Sequence, residues 1–207
     1  MSNIIEEFHK HYYDSKVWLG NTRWLGIPIL KLPLDLFIYQ EIIFDIKPDL
    51  IIECGTFNGG SALFFSSMLD LINKGKVISI DHVLRSNLPS HPRLTYIKAS
   101  STSDEALEKV KQLINPGDVV VVVLDSDHRK NHVLSELELY GKYVTKGSYL
   151  VVEDTNVNGH PILPDFGPGP MEAVEEFLLE NNEFMIDESK HKFFFTFCPK
   201  GFLRKVK

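Results

Sequence analysis

Leu50 to Leu71 reads LIIECGTFNGGSALFFSSMLDL. A strand-forming run, Leu50–Cys54, enters a turn carrying Gly55, Gly59 and Gly60. A helical pattern follows over Gly59–Ile72, with Ala62, Phe65, Leu69 and Ile72 on one face. Lys47-Pro48-Asp49 breaks the chain just before it. Strand, glycine turn and helix form the repeating unit of an α/β sheet, and the residues downstream keep to that rhythm.

Lys76–Ile80 reads as a second strand ending at Asp81, Leu94–Lys98 as a third, and Asp104–Ile114 as a helix. Asn115-Pro116-Gly117 turns the chain into Val119–Leu124, whose unbroken β-branched run suits a central strand buried on both faces. Val133, Leu137, Tyr140 and Val144 mark the next helix; Lys146-Gly147 ends it, and Ser148–Val152 is a strand. A loop rich in Pro and Gly, Asn156–Pro170, precedes a helix over Met171–Leu179 with Met171, Val174 and Leu178 inward. Phe184–Ile186 and Phe193–Phe197 read as the last strands. Their link, Asp187–Lys192, is too short for a helical crossover, so they pair antiparallel. The expectation is one domain over residues 1–207: a doubly wound, Rossmann-like sheet of seven strands, mostly parallel, closed by an antiparallel hairpin. Residues 1–46 carry Trp18, Trp24 and the stretch GIPILKLPLD. They read as a helix, a loop and a second helix (Asp35–Ile46) over the sheet edge, acting as a lid or a subunit contact.

Composition narrows the partners. The 207 residues carry a formal charge of −6, and basic residues cluster only at Arg204, Lys205 and Lys207. Such a chain is poorly suited to hold a phosphate backbone, so nucleic acid is not expected. The longest purely apolar run, Val119–Leu124, is far short of the roughly 20 residues of a membrane span. The opening MSNIIEEFHKHYYDS has no basic start before an apolar stretch, so no signal peptide is expected. Cys54 and Cys198 are distant and form no C-x-x-C pair; a bond between them stays open, and a reducing, cytoplasmic setting is the simpler expectation.

In open α/β sheets ligands bind beyond the carboxyl ends of the strands. After the first strand come Glu53, Gly55, Thr56, Phe57, Gly59 and Ser61. Glycines let the backbone approach a ligand, and the following helix N-terminus favours an anion. In a methyltransferase that anion is the carboxylate of the donor's methionine part. Glu53 could accept from its ammonium or brace the loop. The spacing G-x-x-x-G-G differs from the G-x-G-x-x-G of dinucleotide binders, and a tight turn needed for packing is the plain alternative. Asp81 stands where an acid accepts from a ribose diol, with His82 beside it; a helix cap or solvated carboxylate is the alternative. Ser100 and Ser101 could meet an adenine edge.

Two acidic clusters weigh most. Val119–Leu124 delivers Asp125-Ser126-Asp127-His128, and Ser148–Val152 delivers Glu153-Asp154. On neighbouring strands about 5 Å apart, these carboxylates repel one another unless a cation balances them. Oxygen ligands suit Mg²⁺ or Ca²⁺. Asp127 could instead cap the helix near Lys130. His128, three residues beyond Asp125, could take a proton from an acceptor hydroxyl, while His132 reads as a helix-surface residue. The Gly159–Pro170 loop could wall a substrate or be a surface excursion.

ECGTFNGGSALFF, VVLDSDHRKNHVLSELELY, GSYLVVEDT, GPGPMEAVEEFL and PKGFL together resemble the cephalosporin hydroxylase/rhamnosyl O-methyltransferase family, from about Trp24 to Leu203. The resemblance implies a class I, catechol O-methyltransferase-like enzyme that uses S-adenosylmethionine and Mg²⁺ or another divalent cation to methylate a hydroxyl of a small molecule or sugar. It implies that Asp125, Glu153 and Asp154 hold the metal. It also implies that Glu53, Gly55, Ser61, Asp81 and Ser100 surround the donor. His128 stands where catechol O-methyltransferases carry a lysine. A facial-triad oxygenase is not expected, since no H-x-D or H-x-E occurs. Two other readings stay open: an NAD-dependent oxidoreductase, and a non-catalytic subunit that keeps the nucleoside pocket.

Overall fold

Aliphatic and β-branched runs become strands, and the helical periodicities between them become the covering layers. In the computed structural model, which describes residues 2–207, the chain opens with α1 (Ser2–Asp14), a 3-10 turn at Val17–Leu19, a small ribbon of β1 (Arg23–Trp24) and β2 (Ile27–Pro28), and α2 (Pro33–Ile46). It continues through β3 (Leu50–Cys54), α3 (Gly60–Leu71), β4 (Lys76–Asp81), β5 (Leu94–Lys98), α4 (Asp104–Leu113), β6 (Val120–Leu124), α5 (Lys130–Gly141) and β7 (Tyr149–Val152). It ends with α6 (Pro170–Glu180), β8 (Phe184–Ile186), a 3-10 turn at Glu188–His191 and β9 (Phe202–Lys205).

The large sheet has the order β5-β4-β3-β6-β7-β9-β8. β5 to β7 run parallel, and β9 is antiparallel to both β7 and β8. Strand alternation divides the core in two. Ile52, Cys54, Val122 and Leu124 pack with Ala106, Val133, Tyr140 and Val174 of α4, α5 and α6. Ile51, Val121 and Val123 pack with Tyr39 and Ile42 of α2 and with Phe65 and Leu69 of α3. So α2 lies on the face of the central strands, not over the sheet edge. Its axis begins two residues earlier than Asp35, with Pro33 in the first turn, where a missing N–H costs nothing. In α6 the inward set is Met171, Ala173, Val174 and Phe177; Leu178 is only half-buried.

The last strand differs from the sequence expectation. Phe193–Phe197 is a loop, and the antiparallel strand is Phe202–Lys205. Phe194 sits at φ 65°, outside any strand geometry, and is exposed. Phe195 and Phe197 turn to meet Leu32, Tyr12, Tyr13 and Trp18. Their alternation reads as a strand, but the N-terminal aromatics bury them better than a sheet edge would; each contributes ~2–3 kcal/mol. The same contacts dock α1. His9 is buried beside Phe197, and burial pushes its imidazole down to about 4, leaving a neutral partner for the Asn156 amide at 2.9 Å. Both cysteines are buried and free. No helix of the described residues is long and apolar enough to cross a membrane.

The loop after β7 is pinned by Glu172 in the first turn of α6. Its carboxylate accepts from Gly169 N (2.6 Å) and Asn158 Nδ2 (3.0 Å) and lies 2.9 Å from His160 Nε2. Burial alone would raise it, but these partners bring its pKa down to about 2. A carboxyl depressed below its unfolded value near 4.5 adds stability that is full above that value and fades as pH falls toward 2. Glu172→Gln should therefore cost about 1–2 kcal/mol at pH 7 and nothing near pH 2. Urea melts at both pH values check this; an equal loss at both would contradict the assignment.

Candidate active site

β3 leads outward to β4 and β5, while β6 leads the other way to β7, so the chain reverses between β3 and β6. The register sets Cys54 beside Leu124. Gly55 and Asp125 therefore leave the sheet together, with Asp125 N donating to Cys54 O at 2.8 Å. Gly55 lies at φ +101°, and a Cβ there would sit 1.9 Å from Asp125 O. Only glycine allows this approach.

Two hollows open at this end. One of about 600 Å³ is bounded by Asp81, His82, Arg85, Ser100, Ser101 and His132. The other, about 300 Å³, is bounded by Thr56 and Ser61 on one side and by Tyr13, Trp18, Val157, Leu163 and Phe166 on the other. Gly55, Phe57, Asp125 and Ser126 belong to both. The site is thus two chambers with Asp125 at their junction. Ser61 lies in the first turn of α3, whose N-terminus faces the smaller chamber. The Asn156–Pro170 loop serves as a wall rather than a free excursion.

The glycine turn is held by Asp81. Its Oδ2 accepts from Thr56 N (3.0 Å) and Phe57 N (3.1 Å), and its Oδ1 accepts from Val83 N (3.0 Å). Burial alone would raise this carboxyl, yet the three N–H donors bring it below the usual range. His82 Nδ1 is 3.2 Å away but the ring is exposed. Gly59 bounds neither chamber; it supplies a left-handed residue (φ +73°) packed against Pro89 and Tyr96. Glu53 bounds neither chamber either. It is fully buried, with Ser79 Oγ donating to Oε2 at 2.6 Å. Burial pushes it up to about 7 against the pull of the Lys31 ammonium. Its link to the turn is indirect, through Ser79 Oγ, which lies 2.7 Å from Thr56 Oγ1, and Glu53 Oε1 has no hydrogen-bond partner among the described residues.

At the junction, Asp154 Oδ2 is 3.1 Å from His128 Nε2, and Asp125 Oδ1 is 4.0 Å from the same nitrogen. Asp125, His128 and Asp154 each bring one ligand atom within 4.8 Å of the others. The two carboxylates fit a hard divalent cation that keeps waters in its shell, with the imidazole beside them. Burial above all, with Glu153 and Asp154 nearby, pushes Asp125 up to about 6 even against Lys31. Glu153, expected among the metal ligands, stands outside this group. Oε1 accepts from the Tyr39 hydroxyl and the Lys31 ammonium, and Oε2 from Cys198 Sγ. Asp127 does not cap α5, whose N-cap is Arg129 with no side-chain cap bond; it accepts from Arg129 N at 3.0 Å in a local turn and lines the larger chamber.

Two functional residues escaped the sequence reading. Lys31 is fully enclosed, 2.5 Å from Asp125 Oδ2 and 3.0 Å from Glu153 Oε1. Burial alone would lower its pKa; the carboxylates of Asp125, Glu153 and Glu53 raise it well above the ordinary value, so it stays charged. The only sequence signal was a lone cation in the apolar stretch GIPILKLPLD. His132 is half-buried and lines the larger chamber rather than standing free on the helix surface. Its Nε2 lies 3.2 Å from Ser101 Oγ and 3.3 Å from Oε1 of the buried Glu136, which also accepts from Ser126 Oγ. Glu136 above all raises the His132 pKa. The i, i+4 spacing of His132 and Glu136 on an inward helix face was the available signal.

Known proteins are similar to this chain in sequence and in fold. The family model described as Rhamnosyl O-methyltransferase/CmcI matches residues 16–206. The chain is 42% identical to a Rhamnosyl O-methyltransferase of Mycobacterium leprae (strain TN), over 97% of this chain and 90% of that one. It is 41% identical to that of Mycobacterium bovis (strain BCG / Pasteur 1173P2), over 97% and 84%. In structure it is similar to CmcI: the apo N160 form superposes with a TM-score of 0.70 at 20% identity, over 90% of this chain and 76% of that one. The D160 form with Mg and SAM superposes with 0.67 at 20%, over 90% and 77%.

Proposed function

The chain belongs to the rhamnosyl O-methyltransferase/CmcI family and is an S-adenosylmethionine-dependent, metal-assisted O-methyltransferase; from there we propose that its acceptor is a hydroxyl of a deoxysugar on a small molecule. The observation that carries this is the pair of chambers meeting at Gly55 and Asp125. A two-substrate transfer needs two sites that share one boundary. The relatives' name, Rhamnosyl O-methyltransferase, and the aromatic wall of Tyr13 and Trp18 support a sugar with an apolar face.

The residues divide as follows. Asp81, His82 and Ser100 bound the nucleoside chamber. Gly55, Thr56, Phe57 and Ser61 carry the donor's methionine end against the α3 N-terminus, with Glu53 and Gly59 shaping the turn from beneath. Asp125 and Asp154 would hold the divalent cation. When bound, the cation supplies positive charge that lowers the pKa of the acceptor hydroxyl. His128, turned toward Asp154, receives the hydroxyl proton, and Asp154 keeps its ring oriented. The acceptor oxygen gains the methyl group, and S-adenosylhomocysteine leaves. Glu153 supports the site through Lys31 and Tyr39. The N-terminal segment serves as a chamber wall through Tyr13 and Trp18. Self-association through its exposed Phe37 and Phe44, and a cytoplasmic location in keeping with two free cysteines, belong to the same reading. An oxidoreductase is not favoured, since the glycine spacing and the relatives both point elsewhere. A non-catalytic subunit would have no use for the Asp125–His128–Asp154 group.

Calorimetric titration with S-adenosylhomocysteine, with and without Mg²⁺, tests the reading. Micromolar binding is expected under both conditions. No binding under either would remove the methyltransferase assignment.

A further inference from the structure

His132 of α5 bounds the larger chamber, with its side chain 25% exposed. Its Nε2 lies between Ser101 Oγ and Glu136 Oε1, and Ser126 Oγ donates to that same carboxylate oxygen. Glu136 is fully buried, and its Oε2 has no hydrogen-bond partner among the described residues. A ring nitrogen facing an enclosed carboxylate carries the proton, because a lone pair there would repel the oxygen. The neutral ring is therefore the Nε2–H tautomer, and Nδ1 is left as an acceptor. With Nε2 engaged on the buried side, Nδ1 is the polar atom the ring has left for the chamber. Nothing in the chemistry of methyl transfer requires this pair. We propose that His132 is the specificity residue of the donor chamber: its Nδ1 accepts from the exocyclic amino group of adenine, and Glu136 holds it in the accepting tautomer. This rests on the placement of the donor's nucleoside in the larger chamber.

Hypoxanthine carries a carbonyl where adenine carries the amino group. Against a neutral Nδ1 that oxygen meets a lone pair and no proton, so the site rejects it. Protonation reverses the preference, since an imidazolium Nδ1–H donates to a carbonyl and has nothing to accept from an amine. The ring is held for this task from its other side: Ser101 is buried, and its carbonyl accepts from the Tyr140 hydroxyl at 2.6 Å. The charged and titratable groups around the ring are Glu136 on its own helix, Asp127 ahead of α5, Asp81, His82 and Arg85 at and beyond the end of β4, and Asp125 at the end of β6. The loop after β5 brings Ser100 and Ser101, which do not titrate in this range. The hydrogen bond to Glu136, above all, raises the His132 pKa over the ordinary 6.5, with Asp127 adding to it. The changeover therefore lies above that value.

The test is calorimetric titration of the full chain with S-adenosylhomocysteine and with S-inosylhomocysteine, its hypoxanthine counterpart, over a pH series. At about pH 8 wild type should bind the adenine compound about tenfold or more tightly, and the ratio should shrink by a similar factor as pH falls to about 5.5. The two compounds differ only in the base, so titration of Asp125 or Asp81 cancels in the ratio. His132→Gln keeps an amide near the Nε2 position for Glu136 but has no counterpart of Nδ1; its ratio should be close to unity and flat with pH. His132→Asn, whose amide oxygen can stand at the Nδ1 position, should keep part of the preference without its pH dependence, and serves if the glutamine variant does not fold. Glu136→Gln should move the changeover to lower pH, because the carboxylate that favours the imidazolium is gone. A wild-type ratio and pH profile retained in His132→Gln would overturn the proposal and assign the base to Asp127, while the donor site stands. A wild-type ratio near unity at every pH would overturn it as well. If wild type binds neither compound, the donor reading fails and the proposal falls with it.

Discussion

Asp154→Asn should lower methyl transfer about 10³-fold at saturating Mg²⁺ while S-adenosylhomocysteine binding stays within about threefold of wild type. Asp154 occupies the left-handed region at φ 54°, which asparagine also adopts at little cost. The variant should therefore fold, and the exchange removes one charge and little else. That charge is one of two carboxylates assigned to the metal and the partner of His128 Nε2 at 3.1 Å. Asp154 bounds only the smaller chamber, away from the nucleoside end, so donor affinity has no reason to change. Steady-state rates over a Mg²⁺ series, with calorimetry alongside, measure both quantities. Turnover equal to wild type would sink the metal assignment; joint loss of turnover and donor binding would point to a collapsed chamber.

Gly55→Ala should be the most damaging single methyl in the chain. The added carbon would lie 1.9 Å from the Asp125 carbonyl oxygen and 2.5 Å from its carbon. Both are backbone atoms at the carboxyl end of the central strand β6, so neither can step aside. A loss of about 3–5 kcal/mol is expected, from the clash together with the strain at φ +101°. In a domain of this size that is a fall in melting temperature on the order of 10 °C. Gly117→Ala separates the two causes. It has a similar φ of +90° but nothing within 4 Å of the new carbon, so torsional strain alone should cost about 1–2 kcal/mol. Calorimetric melts of the two variants measure the difference. Similar losses would mean that the Gly55–Asp125 approach is not tight.

Much of this was legible before any coordinates. Six of the seven sheet strands fell where aliphatic runs and their Gly or Pro boundaries placed them, because strand and helix periodicities are local signals. The seventh was misplaced for a reason of the same kind. Phe193–Phe197 has the alternation of a strand, and nothing within it tells of the aromatic partners Tyr12, Tyr13 and Trp18. His132 went to the surface because the helix face it shares with Glu136 becomes inward only once β6 is central. Glu53 carried a mixed signal: a carboxylate inside a strand buried on both faces needs a cation, but the strand does not say which one.

The sequence by itself determined the alternating elements, the glycine turn after β3 and the delivery of Asp125 and Asp154 to strand ends. Each of these follows from residues within a few positions of one another, where propensity and pattern act. Only the tertiary structure decided which charges meet. Lys31 and Asp125 are 94 positions apart, and Tyr39 and Glu153 are 114 apart. Their pairing depends on α2 lying across the central strands. Ion pairs and hydrogen bonds fall off within a few ångströms, so they become readable only when the chain has brought them together.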